Sequence, residues 1–392
     1  MFEAYRVAVR LQLTNGISGA LATIKSDLLG THQQIGAINS GLLTMESRLA
    51  SIKRLGIIGA GMTAAGSGML FSLKGLMEQA LQYERETAKM RQMGLGEDQI
   101  RDALKFSQAT TIIGTSIQQR TKLFVEAQGA FRESGMNGDK ALEAAKTMMP
   151  VLASYELAMK TLSGGKHAAA EGAMRSLNKT VEIMGGLGDP KRAAEIADGV
   201  FKAVQSSGKM VDERQLKQFV AYGSSATNSI SMRSIFGGLE PIIGEFQGST
   251  VATGLRTAFT RMSGAMSLPP KKMQTTLSGL GIGQMDHGQV RMNDGLLRLM
   301  QSDPVEFTKK MMAIYTAHGL DGQLDRERTN TILFNTTGAK IYNKLMQQMP
   351  VIDESLKSYD KAHGIDQTNK DNAKSPMMAI EDFNSAMSDL KL

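Results

Sequence analysis

Side chains able to do chemistry are few and scattered in this chain. Its five histidines, His32, His167, His287, His318 and His363, are too far apart for two of them to share a helical face as zinc ligands. Only His167 has a carboxylate one helical turn away, Glu171, and that pair suits a solvated helix face better than a metal site that needs further ligands. There is no cysteine, so thiolate ligands and disulfides are excluded. Serine and aspartate are plentiful, but no G-x-S-x-G elbow, Walker A loop or paired-carboxylate signature is present. Asp286-His287 and Asp303-Pro304 read as turn and cap residues. One cofactor motif occurs: Gly59-Ala60-Gly61-Met62-Thr63-Ala64 matches G-x-G-x-x-A. A dinucleotide site needs a strand before that turn, then a helix, a second strand and an acidic residue. Here a long helical pattern precedes it and Lys74–Met93, helical in pattern, follows with no second strand. The residues therefore support no enzyme, cofactor or metal.

Stepping from side chains to elements, the strongest signal is a seam. Ile17, Leu21, Ile24, Leu28, Thr31, Ile35, Ile38, Leu42, Met45, Leu49 and Ile52 keep a strict 4-3 spacing, and only Thr31 is polar. A straight α-helix drifts by about 20° per heptad against such a repeat, so the pattern predicts supercoiling against partner helices. Leucine fills four of the five a positions, with Ile35 the fifth, and isoleucine most d positions, a choice that favours three or four strands over two. Gly19, Gly30, Gly36 and Gly41 weaken the helix, and Leu29 and Leu43 widen its apolar face. Packing inside its own chain is the competing reading; we favour self-association or a scaffold partner.

After the seam, Leu55–Leu73 runs for nineteen residues without a charge. Its bulky apolar residues are Leu55, Ile57, Ile58, Met62, Met69, Leu70, Phe71 and Leu73, interspersed with five glycines. Three readings stay open: the dinucleotide turn set aside above, a conditionally membrane-active helix close to the ~20 residues that span a bilayer, and a Gly/Ala-rich helix packed tightly in an assembly.

Composition fits a helical protein. Among 392 residues there are 28 methionines, which suit adaptable helix packing, and only 8 prolines to interrupt helices. The formal net charge of +7 is spread among acidic residues, and with no tryptophan and no dense Lys/Arg block a sequence-specific nucleic-acid surface is not expected. The N-terminus has no apolar signal-peptide core. Alternation over Tyr5–Leu13 predicts a short strand, and Thr14-Asn15-Gly16 a turn into the seam helix. Beyond Leu73 amphipathic helical patterns dominate, cut at Gly94-Leu95-Gly96, Gly135–Gly138, Gly164-Gly165 and Gly185–Gly188. Asp189-Pro190 predicts a helix start. Lys357–Pro376 is polar and predicted to loop out, before an amphipathic helix over Met377–Leu392. The expected class is mainly α: a strand and coiled-coil-type helix over 1–54, a Gly/Ala-rich apolar segment over 55–79, a multi-helix bundle over 80–360, and a polar linker with a further helix over 361–392.

Four stretches, in order, resemble the N-terminal region of bacteriophage tail tape measure proteins. The first is the opening strand, seam helix and apolar segment. The second comprises Ile113-Gly114-Thr115-Ser116, Ala127–Gly135 (AQGAFRESG) and a helix over Asp139–Leu157. The third is Gly248–Met262, GSTVATGLRTAFTRM, leading through Gly254 into Leu255-Arg256. The fourth is Leu277–Ile282 (LSGLGI), then Asp286–Val290 (DHGQV) and a helix over Gly295–Met300. The resemblance covers roughly Tyr5 to Met349. The family's long helical tail is missing, as are the hydrolase domains of some members, so this is either the N-terminal part of a longer chain or a short member.

The resemblance implies a virion structural protein, made in the host cytoplasm and lying inside the tail tube, that sets tail length during assembly and assists genome ejection. Implied partners are further copies of itself, with a trimer favoured by the seam, tail-tube, baseplate or tail-tip proteins and assembly chaperones, and the host membrane on ejection. It implies no catalytic, cofactor or metal residues. The alternative readings are a cytoplasmic helical scaffold or adaptor unrelated to phage and, from the Gly59–Ala64 motif alone, an NAD-binding enzyme.

Overall fold

The computed structural model of the chain describes residues 81–389, apart from 113, 134, 164–169, 224–226, 228, 267 and 374–375. The predicted N-terminal strand, the seam residues Ile17–Ile52 and the apolar segment Leu55–Leu73 lie outside the described residues. What is described falls within one compact unit, Gly75–Leu392, and is helical except for a single hairpin among the described residues.

Helix α1 (81–92) ends at a turn where Gly94 takes a positive φ, and α2 (Glu97–Ala109) follows. Then α3 (Ile117–Glu133) pairs along α4 (Gly138–Ser163). These two bury Phe124, Ala127, Phe131, Ala145, Met148, Met149 and Leu152, so small residues and flexible methionines fill the seam between them. Helix α4 runs six residues past the predicted Leu157 and carries Pro150 within it. Next come α5 (Ala170–Ile183), α6 (Pro190–Ser206) and α7 (Glu213–Gly223). The start of α6 is the predicted one: the Asp189 carboxylate accepts from the N–H of Lys191 and Arg192 at 2.9 and 3.2 Å, with Pro190 at the first helical position.

A five-residue π-helical turn, Ser234–Gly238, leads into α8 (Glu240–Phe246) and α9 (Gly248–Met262). Helix α9 lies at the centre, packed on α7 and on α13 (Gln323–Gln347). Gly254 makes the second crossing possible, since a Cβ there would sit 2.3 Å from Ile341 Cγ1. Between them run α10 (Lys271–Gly279), strands β1 (Gly283–Asp286) and β2 (Gln289–Met292), α11 (Asp294–Ser302) and α12 (Pro304–Ala317). The strands pair antiparallel, Gly283 opposite Met292 and Asp286 opposite Gln289. His287 and Gly288 form the two-residue turn, both at positive φ as a type I′ turn requires.

That hairpin interrupts the helical patterns that dominate beyond Leu73, and its four-residue strands are too short to show against the helices on either side. A correction concerns Lys357–Pro376. Helix α14 (Met349–Lys361) continues into it, and after a short break α15 (Ile365–Asn372) follows, packed on α4. Helix α15 is polar because only Ile365 and Thr368 are buried among its residues. The last helix, α16 (Pro376–Asp389), packs on α3. No helix among the described residues is long and apolar enough to cross a membrane.

Candidate functional site

The densest constellation of polar groups surrounds the π-helical turn, where α6, α12 and α14 converge on it. The turn exists because Leu239 N–H reaches back five residues to Ser234 O at 2.8 Å. Its glycines let α14 approach closely; a Cβ on Gly237 would lie 3.0 Å from Tyr359 Cβ and Cγ. Wide turns of this kind often mark functional positions.

Four carboxylates face this junction, and each is held by the fold. Asp303 caps α12 through the N–H groups of Val305 and Glu306, both at 3.1 Å, and accepts from Ser234 Oγ at 3.0 Å. Asp360 takes both ends of the Arg233 guanidinium, Nε to Oδ1 at 2.9 Å and Nη2 to Oδ2 at 2.6 Å. That pairing holds the Asp360 carboxyl below its usual range. Asp198 accepts the Ile365 N–H at 2.8 Å and lies 3.2 Å from Lys202 Nζ, tying α15 to α6. Glu240 is different. It is 5% exposed, and the hydrogen bond described for it is from Ser355 Oγ at 3.0 Å, a hydroxyl also 2.7 Å from the Gly237 carbonyl. Burial pushes the Glu240 carboxyl up, and the Ser355 hydrogen bond offsets part of that. Beside them the Tyr359 hydroxyl is pushed up to about 12, first by burial and then by the nearby charges of Asp198 and Asp360.

The contacts described at this junction fasten elements together: the Ser355 hydroxyl lies within hydrogen-bond distance of two acceptors, the Glu240 carboxylate and the Gly237 carbonyl, which share its one proton. Among the described residues no group of three or more His, Cys, Asp or Glu could hold a metal ion. Two further polar contacts are buried elsewhere: Tyr155 donates to Glu213 at 2.6 Å, and a chain runs from Tyr315 through Asn330 to Asn343, each link 2.7 Å.

Of the residues singled out in the sequence, Asp303 lies at this junction and the described others do not. His287 sits exposed at the hairpin tip, with Asp286 engaged by Arg291 at 2.6 Å. His318 follows the end of α12, its Nδ1 2.8 Å from Ile314 O. His363 lies 2.9 Å from Asp371 on the surface. Asp303-Pro304 is the predicted cap. His32, His167 and the Gly59–Ala64 motif lie outside the described residues, as do all residues of the seam and of the apolar segment. The π-turn cluster left little trace in sequence, because Glu240 and Ser355 are 115 positions apart; the one local clue is Gly237-Gly238 ahead of Glu240-Pro241. Compared with protein-family models, with curated proteins and with solved structures, the chain has no match.

Proposed function

We propose that the chain is a tail tape measure protein, or the N-terminal part of one, acting as a non-catalytic scaffold inside a phage tail tube. The observation that carries this reading is where the resembling stretches fall in the fold. Ala127–Gly135 ends α3 and turns the chain into α4 through Gly135 at positive φ. Gly248–Met262 coincides with α9, the central helix. Leu277–Ile282 closes α10 with Leu277, Leu280 and Ile282 buried, and Asp286–Val290 is the hairpin turn. Many of their apolar residues, among them Phe131, Val251, Leu255, Leu277 and Ile282, are thus packing positions of one helical domain, which suits an assembly role. The fastened polar cluster at the π-turn accords with that.

A length-setting role makes a quantitative test possible. Inserting two helical heptads in frame within a helical stretch of the gene should lengthen the assembled tails by about 20 Å, at about 1.5 Å per residue. Electron microscopy of particles from the parental and altered genomes reads this directly. Tails of unchanged length containing the longer protein would remove the tape-measure role, and a cellular scaffold unrelated to tails would then be the better account.

A further inference from the structure

Helix α13 is two helices joined at one residue. Asn335 has φ 60° and ψ 167°, a region that essentially only glycine occupies without strain. The arms on either side, 323–334 and 336–347, fold back on each other. Asn330 Nδ2 donates to Asn343 Oδ1 at 2.7 Å, Gln347 Nε2 reaches Glu327 Oε1 at 3.3 Å, and the Phe334 and Tyr342 rings lie 4.6 Å apart. In one unbroken helix residues 330 and 343 would be about 20 Å apart at ~1.5 Å per residue. The reversal uses no loop, only Asn335.

The fold-back frees two carbonyls, and Arg261 of α9 takes both: Nε donates to Leu333 O at 2.8 Å and Nη2 to Ile332 O at 3.2 Å. In a continuous helix those carbonyls would accept from Thr336 and Thr337 instead, by the i to i+4 rule. In the reversed form Thr336 N–H bonds to Asn335 Oδ1 at 2.8 Å. Two arrangements therefore compete for the same acceptors. No proline lies between Ile332 and Lys340 to forbid the straight form, and Asn335, Thr336 and Thr337 are all exposed.

We infer that Asn335 is a hinge, that α13 can straighten into one helix, and that the released segment 336–389 then docks onto a second copy of this chain. A second copy is the fitting occupant because every contact of the exchanged segment already exists within one chain. Ile341 against Gly254, Ser355 on Glu240, Ile365 on Asp198 and Asp389 on Ile117 re-form unchanged between copies. Only the hinge differs, and there the strained residue is relaxed. Very short strained connections are where such exchange is expected. The inference stands on the hinge geometry and does not depend on the tape-measure reading.

The absence of cysteine gives a clean test. With Glu327→Cys and Gln347→Cys in the full chain, oxidation links the arms within one chain when α13 is folded back and between two chains after exchange. A denaturing gel without reductant separates the outcomes, whatever association residues 1–80 bring about. After refolding at high concentration, Asn335→Ala should raise the between-chain fraction about ten-fold, the scale of one relieved backbone strain. Arg261→Met should raise it as well, and Asn335→Gly should lower it below the parent. If parent and Asn335→Gly both link only within chains at every concentration, the hinge does not open and the inference is overturned, even should the alanine variant fail to fold. A folded, cooperatively melting Asn335→Ala protein linked only within chains would overturn it equally.

Discussion

Glu240 shows how one residue can set the pH response of a fold. Its carboxyl is raised by burial, so the folded protein holds that proton more tightly than the unfolded chain does. The stability this adds is complete below the ordinary carboxylate range and is lost as pH rises through the raised value. Above that raised value Glu240 is a buried charge whose described partner is a serine hydroxyl. Replacing it with glutamine keeps an oxygen for Ser355 and removes the charge. We expect Glu240→Gln to stabilise the protein at pH 7 by on the order of 1 kcal/mol, the size of most single-site gains, and to leave stability near pH 4 unchanged. Denaturant melts across that range check both halves. Equal effects at both pH values would mean that packing, not charge, governs the site. The same scale explains what sequence reading reached: Asp189 and Asp303 were legible as caps because a cap is decided within three residues. Glu240 was not, because its environment is built by α14 from far along the chain.

At the scale of elements, periodicity found the helices and glycines found several of their ends, at Gly94, Gly135 and Gly185, each at positive φ. What it missed has a different cause in each case. The fold-back at Asn335 lies inside Gln323–Gln347, where no proline breaks the helical pattern, and the reversal is imposed by Arg261 and Gly254 from another helix. The polar helix α15 escaped because a segment anchored by Ile365 and Thr368 has too little apolar face to show a period. The hairpin escaped through brevity, although His287-Gly288 between two alternating tetrads is a two-residue turn signal. For the seam outside the described residues, the 4-3 pattern itself makes the prediction. A fragment spanning residues 14–54 should sediment as a trimer at high concentration, since leucine at a and isoleucine at d disfavour the dimer. Leu28→Asp with Leu42→Asp should leave it monomeric and largely unfolded. A monomeric parent fragment that is nevertheless helical would end the seam interpretation.

For the described unit as a whole, the helices after α13 stitch together parts made much earlier. Ile365 is tied to Asp198 across 167 positions and Asn369 Nδ2 to Ser154 O across 215. Asp389 accepts the Ile117 N–H at 2.6 Å across 272. That last contact meets the buried Arg120, whose guanidinium bonds to Ser107 O at 2.9 Å and to Thr115 O, and lies 4.0 Å from Asp389 Oδ2. Burial pulls the Arg120 pKa down, and Asp389 partly restores it. Helix α16 thus closes the loop between α2 and α3, away from the crossing of α9 and α13. Ending the chain after Ala373 should expose the Ile117 N–H and take the counter-charge from Arg120, at a cost of about 2 kcal/mol for the stranded groups. The damage should be local. Hydrogen exchange is expected to speed up in the first turn of α3 and the loop before it, with amides of α9 and α13 nearly as protected as before. Asp389→Ala should reproduce most of the effect. If protection instead falls evenly across α3, α9 and α13, the closing helix is part of one cooperative unit, and the stability of the central crossing depends on it.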